Sequence, residues 1–174
     1  MNPPPGDPLT HLDKQGSARM VDVTDRPSSD RQATAEGEVR ISQAAWEAIS
    51  SATVSKGDVL EVAKLAGIMA AKRTPDLIPL CHPLTLTHVV VDARLAADPP
   101  RVELQATVRC QGSTGVEMEA LTAISVAALT VIDMVKSLDP WAEVGSVRLL
   151  AKRGGRSGEV QRPGSGPPEA PGAG

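Results

Sequence analysis

Phenylalanine and tyrosine are absent from this chain of 174 residues, and tryptophan occurs only twice. With 41% apolar residues, the core must therefore be built from Val, Leu, Ile, Ala and Met. The shortage of rings excludes a single-strand nucleic-acid platform, which stacks successive bases on aromatic side chains. A basic excess is missing too: the net charge is −3, whereas binders of a phosphate backbone carry strong positive charge. No nucleic-acid partner is expected, although local cationic clusters can still grip a small anion. Cysteine is scarce. Cys81 and Cys110 stand alone and read as reduced thiols rather than a disulfide framework. The most apolar stretch, ALTAISVAALTVIDMV, is shorter than a membrane span and is broken by Thr122, Ser125, Thr130 and Asp133. The N-terminus, MNPPPGDPLTHLDKQG, lacks the basic start and apolar segment of a signal peptide. A soluble cytoplasmic protein with no membrane partner is the expectation.

Glycine and proline, by contrast, are plentiful at both ends. Residues 1–17 and 154–174 cannot bury enough apolar surface to order themselves and are predicted to be flexible segments. One domain, residues 18–153, lies between them, long enough to bury about two thirds of its unfolded surface. Within it ARMVDV and ATAEGEVRI read as strands, and Ser42 is a candidate N-cap for the helix QAAWEAISSAT. A second helix, GDVLEVAKLAGIMAAKR, has Asp58 near its start and Lys72 and Arg73 in its last turn; TPD is a stop. The strands LTLTHVVVDARLA and RVELQATVRCQ flank ADPP, a long helix runs from about Val116 to Leu138, and VGSVRLLAK is a last strand. The order predicts an α+β class: a ferredoxin-like split βαββαβ fold with an extra N-terminal strand and an extra helix, the helices on one face of an antiparallel sheet.

Several residues could carry chemistry. In DLIPLCHPLTL, Cys81 and His82 are adjacent, and in extended chain adjacent side chains point to opposite faces, which disfavours joint metal ligation or a Cys–His pair. CxxC and HxxxH spacings are absent, His11 and His88 are the other histidines, and no metal site is predicted. Two readings of the stretch stay open: a core cysteine beside a satisfied histidine, or a pocket wall stiffened by Pro79 and Pro83. On the long helix, Asp133 and Lys136 share a face at i and i+3, either as a surface ion pair or as an acid/base pair in a cleft. Glu117 and Glu119 open the same helix after GSTG, where they compensate the dipole or face a polar ligand. Fourteen residues separate Glu119 from Asp133, roughly 21 Å of helix, too far for both to touch one reacting atom. Either they serve separate sites or a second chain completes each one. Lys56, the pair Lys72 and Arg73, and the run Lys152, Arg153 and Arg156 are cationic spots; the last adds glycines that let a phosphate approach.

The strings LTHLDKQGSARMVDVTD, KGDVLEVAKLAGIMAAKRTPDLIPLCHPL, TGVEMEALTAISVAALTVIDMVK and VRLLAKRGGRSG together resemble the MoaC-type cyclic pyranopterin monophosphate synthase family of molybdenum cofactor biosynthesis. The resemblance covers residues 9 to 159. It implies that 18–153 is a catalytic domain, a pyrophosphate-releasing phosphorus–oxygen lyase. Its substrate would be (8S)-3′,8-cyclo-7,8-dihydroguanosine 5′-triphosphate and its pterin product cyclic pyranopterin monophosphate. By the same resemblance Asp133 is the catalytic acid/base with Lys136 as its partner. Substrate contacts fall on Leu80, Cys81, His82, Met118 and Glu119, with Lys56, Arg31 and Lys152 as further polar pocket residues. It further implies a homohexamer, a trimer of dimers with sites at the dimer interface. No cofactor is firmly implied; Mg2+ can accompany the triphosphate, but no carboxylate cluster demands it. The competing reading is a non-catalytic regulatory α+β module that binds a small ligand, in which Asp133 and Lys136 are a structural pair. A thiol enzyme using Cys81 is a further rival.

Overall fold

The computed structural model describes residues 15–155 and 158–164. Among the described residues, six strands form one antiparallel sheet and four helices accompany it. In chain order these are β1 (Ser29–Arg40), α1 (Gln43–Ser50), α2 (Val59–Ala71), α3 (Thr74–Leu77), β2 (Leu86–Ala97), β3 (Pro100–Gly112), α4 (Glu117–Val135), β4 (Glu143–Val144), β5 (Arg148–Arg153) and β6 (Glu159–Gln161). The sheet order is β2-β3-β1-β5-β6, with β4 also paired to β1. Strands β1, β2, β3 and β5 stand in the arrangement of a split βαββαβ fold, as expected.

Alternation along the strands sorts the two faces of the sheet. Ala33, Ala35 and Val39 of β1, and Val102, Leu104, Ala106, Val108 and Cys110 of β3, are buried beneath the helices. The opposite face is polar: Thr34 and Thr107 share a hydrogen bond of 3.1 Å, and Arg148 Nε donates to Glu36 Oε1 at 2.6 Å. Lacking phenylalanine and tyrosine, the core fills its space by close approach. Helices α2 and α4 meet over Ala63, Gly67, Ala120, Ala123 and Ala127, and a Cβ on Gly67 would stand only 3.0 Å from the Ala123 carbonyl oxygen. By composition α4 is long and apolar enough to cross a membrane, yet 56% of its most apolar window is buried inside the fold, which marks a core helix.

The caps follow the sequence. Ser42 Oγ accepts from the Ala45 amide at 3.3 Å, and Asp58 Oδ1 accepts from the amides of Leu60 and Glu61 at 3.0 and 3.1 Å. Four expectations need correction. The extra N-terminal strand does not form: Asp22 Oδ1 accepts from both the amide and hydroxyl of Thr24, a side-chain turn that competes with extended pairing. The stop at TPD is itself one helical turn, α3, because Pro75 fits where no amide donor is needed. Helix α4 ends at Val135, short of Leu138, where the amides of Leu138 and Asp139 both turn back to the Val135 carbonyl. Finally, the sheet runs past Arg153: glycines 154, 155 and 158, all at positive φ, turn the chain so that β6 pairs with β5. His11, Arg156 and the segments 1–14 and 165–174 lie outside the described residues.

Candidate active site

Helix α4 carries a charged group at each end. At its C-terminal end Asp133 lies between two ammonium groups. Lys136 Nζ stands 2.8 Å from Oδ1, and Lys56 Nζ, from the loop before α2, stands 3.0 Å from Oδ2 while donating to the Asp133 carbonyl oxygen at 2.5 Å. Hydrogen bonds from Lys136, then Lys56, hold the Asp133 carboxyl below its ordinary value, and their charges reinforce this. The group is therefore ionised at neutral pH. Its side chain is 58% exposed.

At the N-terminal end a second group gathers from three strands and the helix. Arg31 of β1 lies opposite Cys110 of β3, and Ala33, two residues on, lies opposite Lys152 of β5. Parity therefore raises Arg31, Cys110 and Lys152 on the helix side, at the end where α4 begins. Arg31 Nε donates to the Gly112 carbonyl at 3.2 Å, and Lys152 Nζ donates to Glu117 Oε1 at 2.9 Å. Glu119 is buried, 3% exposed, and this burial raises its carboxyl above the ordinary value, with the Glu117 charge adding to the effect. Burial likewise pushes the thiols of Cys81 and Cys110 up, and Glu119 contributes to both. A thiolate nucleophile needs the reverse setting, so the structure disfavours the thiol-enzyme reading.

The segment from Leu80 to His82 does not start as extended chain. The Cys81 amide closes a turn on the Ile78 carbonyl at 3.1 Å, so strand parity is not what separates the two side chains. The two have different surroundings: burial and then the Glu119 charge act on Cys81, while His82 Nε2 bonds the Val21 carbonyl oxygen at 2.7 Å and ties down the chain ahead of β1. Leu80 is half-buried and Met118 exposed.

The predicted residues thus fall into two sets. Lys56, Asp133 and Lys136 are together; Arg31, Cys81, Glu119 and Lys152 surround the opposite end of α4, with His82 joined to Val21. A groove of ≈ 420 Å³ between the end of α2 and edge strand β2, lined by Ile68, Lys72, Leu84, Leu86 and His88 among others, contains none of them. Among the described residues no three His, Cys, Asp or Glu side chains converge to hold a metal ion. Glu117 was legible as a helix-start acid, but its pairing with Lys152 was not: thirty-five positions separate the two, and only the register of β5 against β1 brings them together.

The MoaC family model matches residues 20–155. The chain belongs to the MoaC family. Relatives agree along nearly their whole length: a cyclic pyranopterin monophosphate synthase of Roseiflexus sp. (strain RS-1) is 58% identical over 151 residues, 87% of this chain and 96% of that relative. Proteins of the same name from Parvibaculum lavamentivorans and from Nocardioides sp. are each 54% identical, over 88% and 89% of this chain and 96% of their own lengths. The MoaC match begins close to the Val21 contact of His82 and ends at Gly155, and it takes in both charged groups on α4.

Proposed function

We propose that the chain converts (8S)-3′,8-cyclo-7,8-dihydroguanosine 5′-triphosphate to cyclic pyranopterin monophosphate and pyrophosphate, a lyase reaction of molybdenum cofactor biosynthesis carried out in the cytoplasm. The observation that carries this reading is identity of 54–58% with synthases of that name across at least 94% of their length. The geometry supports it. Rearranging a purine to a pyranopterin moves protons both ways, and Asp133, ionised between Lys56 and Lys136, can accept one and return it. Loss of pyrophosphate builds negative charge on leaving oxygens, which fixed cations such as Arg31 and Lys152 stabilise; Mg2+ would arrive with the triphosphate as part of the substrate. Leu80, Cys81, His82, Met118 and Glu119 would line the remainder.

The reacting site is completed by a second copy of the chain, in a hexamer built as a trimer of dimers. Two features support this. Helix geometry keeps Asp133 roughly 21 Å from Glu119 within one subunit, and the Asp133 side chain is largely open to water there. Helix α2 also presents Val62, Leu65 and Met69 to solvent at i, i+3 and i+7, a stripe of large apolar side chains that ordinarily marks an interface. Incubation with the cyclic dihydro-nucleotide should release pyrophosphate and, after oxidation, a fluorescent pterin. Asp133→Asn should keep assembly and substrate binding yet stop turnover; near-normal pyrophosphate release by that variant would refute the role given to Asp133.

A further inference from the structure

The ion pair at the start of α4 has an unusual support. Glu117 does not extend away from the helix; its carboxylate folds back over Gly115 to meet Lys152 Nζ at 2.9 Å. A Cβ on Gly115 would stand 2.7 Å from the carboxyl carbon and 2.9 Å from Oε1, and closer still to Oε2, so any side chain there displaces the carboxylate. Backbone conformation does not require the glycine, because Gly115 is not among the positive-φ residues. Space for Glu117 does. The pair is only partly covered, with side-chain exposures of 36% for Lys152 and 28% for Glu117, and such pairs are weak enough to exchange partners with a stronger anion.

We propose that Glu117 is a built-in counter-anion for Lys152: it neutralises the ammonium in the empty site, yields it to the phosphate end of the substrate, and reclaims it as pyrophosphate leaves. Gly115 is the positioning residue that makes the folded-back carboxylate possible. This inference rests on the reading above, in which Lys152 meets the triphosphate. A ligand with one negative charge gains little over Glu117, whereas a polyphosphate exceeds it. The pair therefore favours the triphosphate over ligands of lower charge, and it gives the departing product a competitor.

Two variants test it by different routes. Glu117→Gln removes the competing charge; Gly115→Ala keeps the charge but expels it from its resting place. The full-length chain and both variants would be titrated with inorganic tripolyphosphate and pyrophosphate by calorimetry. Both variants should bind tripolyphosphate about two- to fivefold more tightly than the parent, the range expected for releasing one exposed ion pair. Adding Lys152→Met should erase the gain. Pyrophosphate should become a stronger product inhibitor in the same order. Equal or weaker binding by both variants would overturn the proposal, and so would tightening by Glu117→Gln alone, which would reflect long-range charge rather than a folded-back partner. Turnover of the cyclic dihydro-nucleotide by the unaltered chain is read separately. Its absence would remove the proposed reaction while the polyphosphate titration still decides the counter-anion.

Discussion

Lys56 and Asp133 are seventy-seven positions apart, and one ammonium group reaches both the side-chain carboxylate at 3.0 Å and the main-chain carbonyl at 2.5 Å. This double contact fastens the loop ahead of α2 to the last turn of α4. It also means that the proton affinity of Asp133 is set jointly by a neighbour on its own helix and by a residue from the opposite half of the sequence.

A shift in pH dependence should follow. The depressed Asp133 carboxyl stays ionised into acid conditions, so if it acts as the base, kcat/KM should hold as pH falls until that carboxyl protonates. Lys56→Met removes the second-largest cause of the depression, and Lys136→Met the largest. The acid limb should therefore move to higher pH in both variants, further in Lys136→Met. A limb that stays in place in both would mean that another group limits the rate.

Glu119 leads to a prediction about stability. Its carboxyl is raised by burial, so the folded chain binds a proton more tightly than the unfolded chain does. Between the ordinary glutamate value and the raised one the native state holds more protons, and stability falls as pH rises through that window. Glu119→Gln removes the titration while keeping the shape. Its melting temperature should exceed the parent's at neutral pH by about 2 to 4 °C for each kcal/mol recovered, and the two curves should converge at low pH. Loss of turnover alongside that gain would be the mark of a strained functional carboxylate. A neutral-pH melting point no higher than the parent's would show that the buried acid has found compensation.

The packing of a core without phenylalanine or tyrosine can be tested at Gly37. A Cβ there would lie 2.6 Å from Ile124 Cγ2, and Ile124 is fully buried on α4. Gly37→Ala must push α4 off the sheet or force Ile124 out of its rotamer, an overpacking cost of about 1 to 3 kcal/mol. Chemical denaturation should show a lower midpoint with an unchanged slope. A midpoint equal to the parent's would mean that β1 and α4 have slack that the contact does not suggest.

How much of this was legible beforehand varied with the range of the interactions involved. β2 and β3 were readable because alternation and a turn between them are local, and Ser42 and Asp58 announced two helix starts because capping acts over three residues. Residues 18–23 misled because a run with β-branched residues can be overruled by one Asx-type turn at Asp22. β6 was hidden in a glycine-rich tail, since composition records the cost of ordering but not the strand waiting beside it. At the site, the i, i+3 spacing exposed Asp133 and Lys136, and helix rise separated them from Glu119. The links from Lys56 to Asp133 and from Glu117 to Lys152 depend on sheet order and register, which no local pattern states.

The proposed sharing of each site between two subunits makes a quantitative demand. If each site takes Asp133, Lys136 and Lys56 from one chain and Lys152, Arg31 and Glu119 from its partner, Asp133→Asn and Lys152→Met damage opposite halves. Each variant alone leaves every site with one defect. In a mixed dimer the defects segregate: one site carries both and the other carries neither. Equal amounts of the two variants, unfolded and refolded together, should then recover about a quarter of the parent activity, because half of the dimers are mixed and one of their two sites is whole. Leu65→Glu in both chains places a charge in the exposed stripe on α2 and should abolish the recovery by blocking pairing, with a drop in mass by light scattering. Mixed assemblies that exchange subunits yet recover no activity would place both charged groups of a site on one chain, and the exposure of Asp133 would then need another cover.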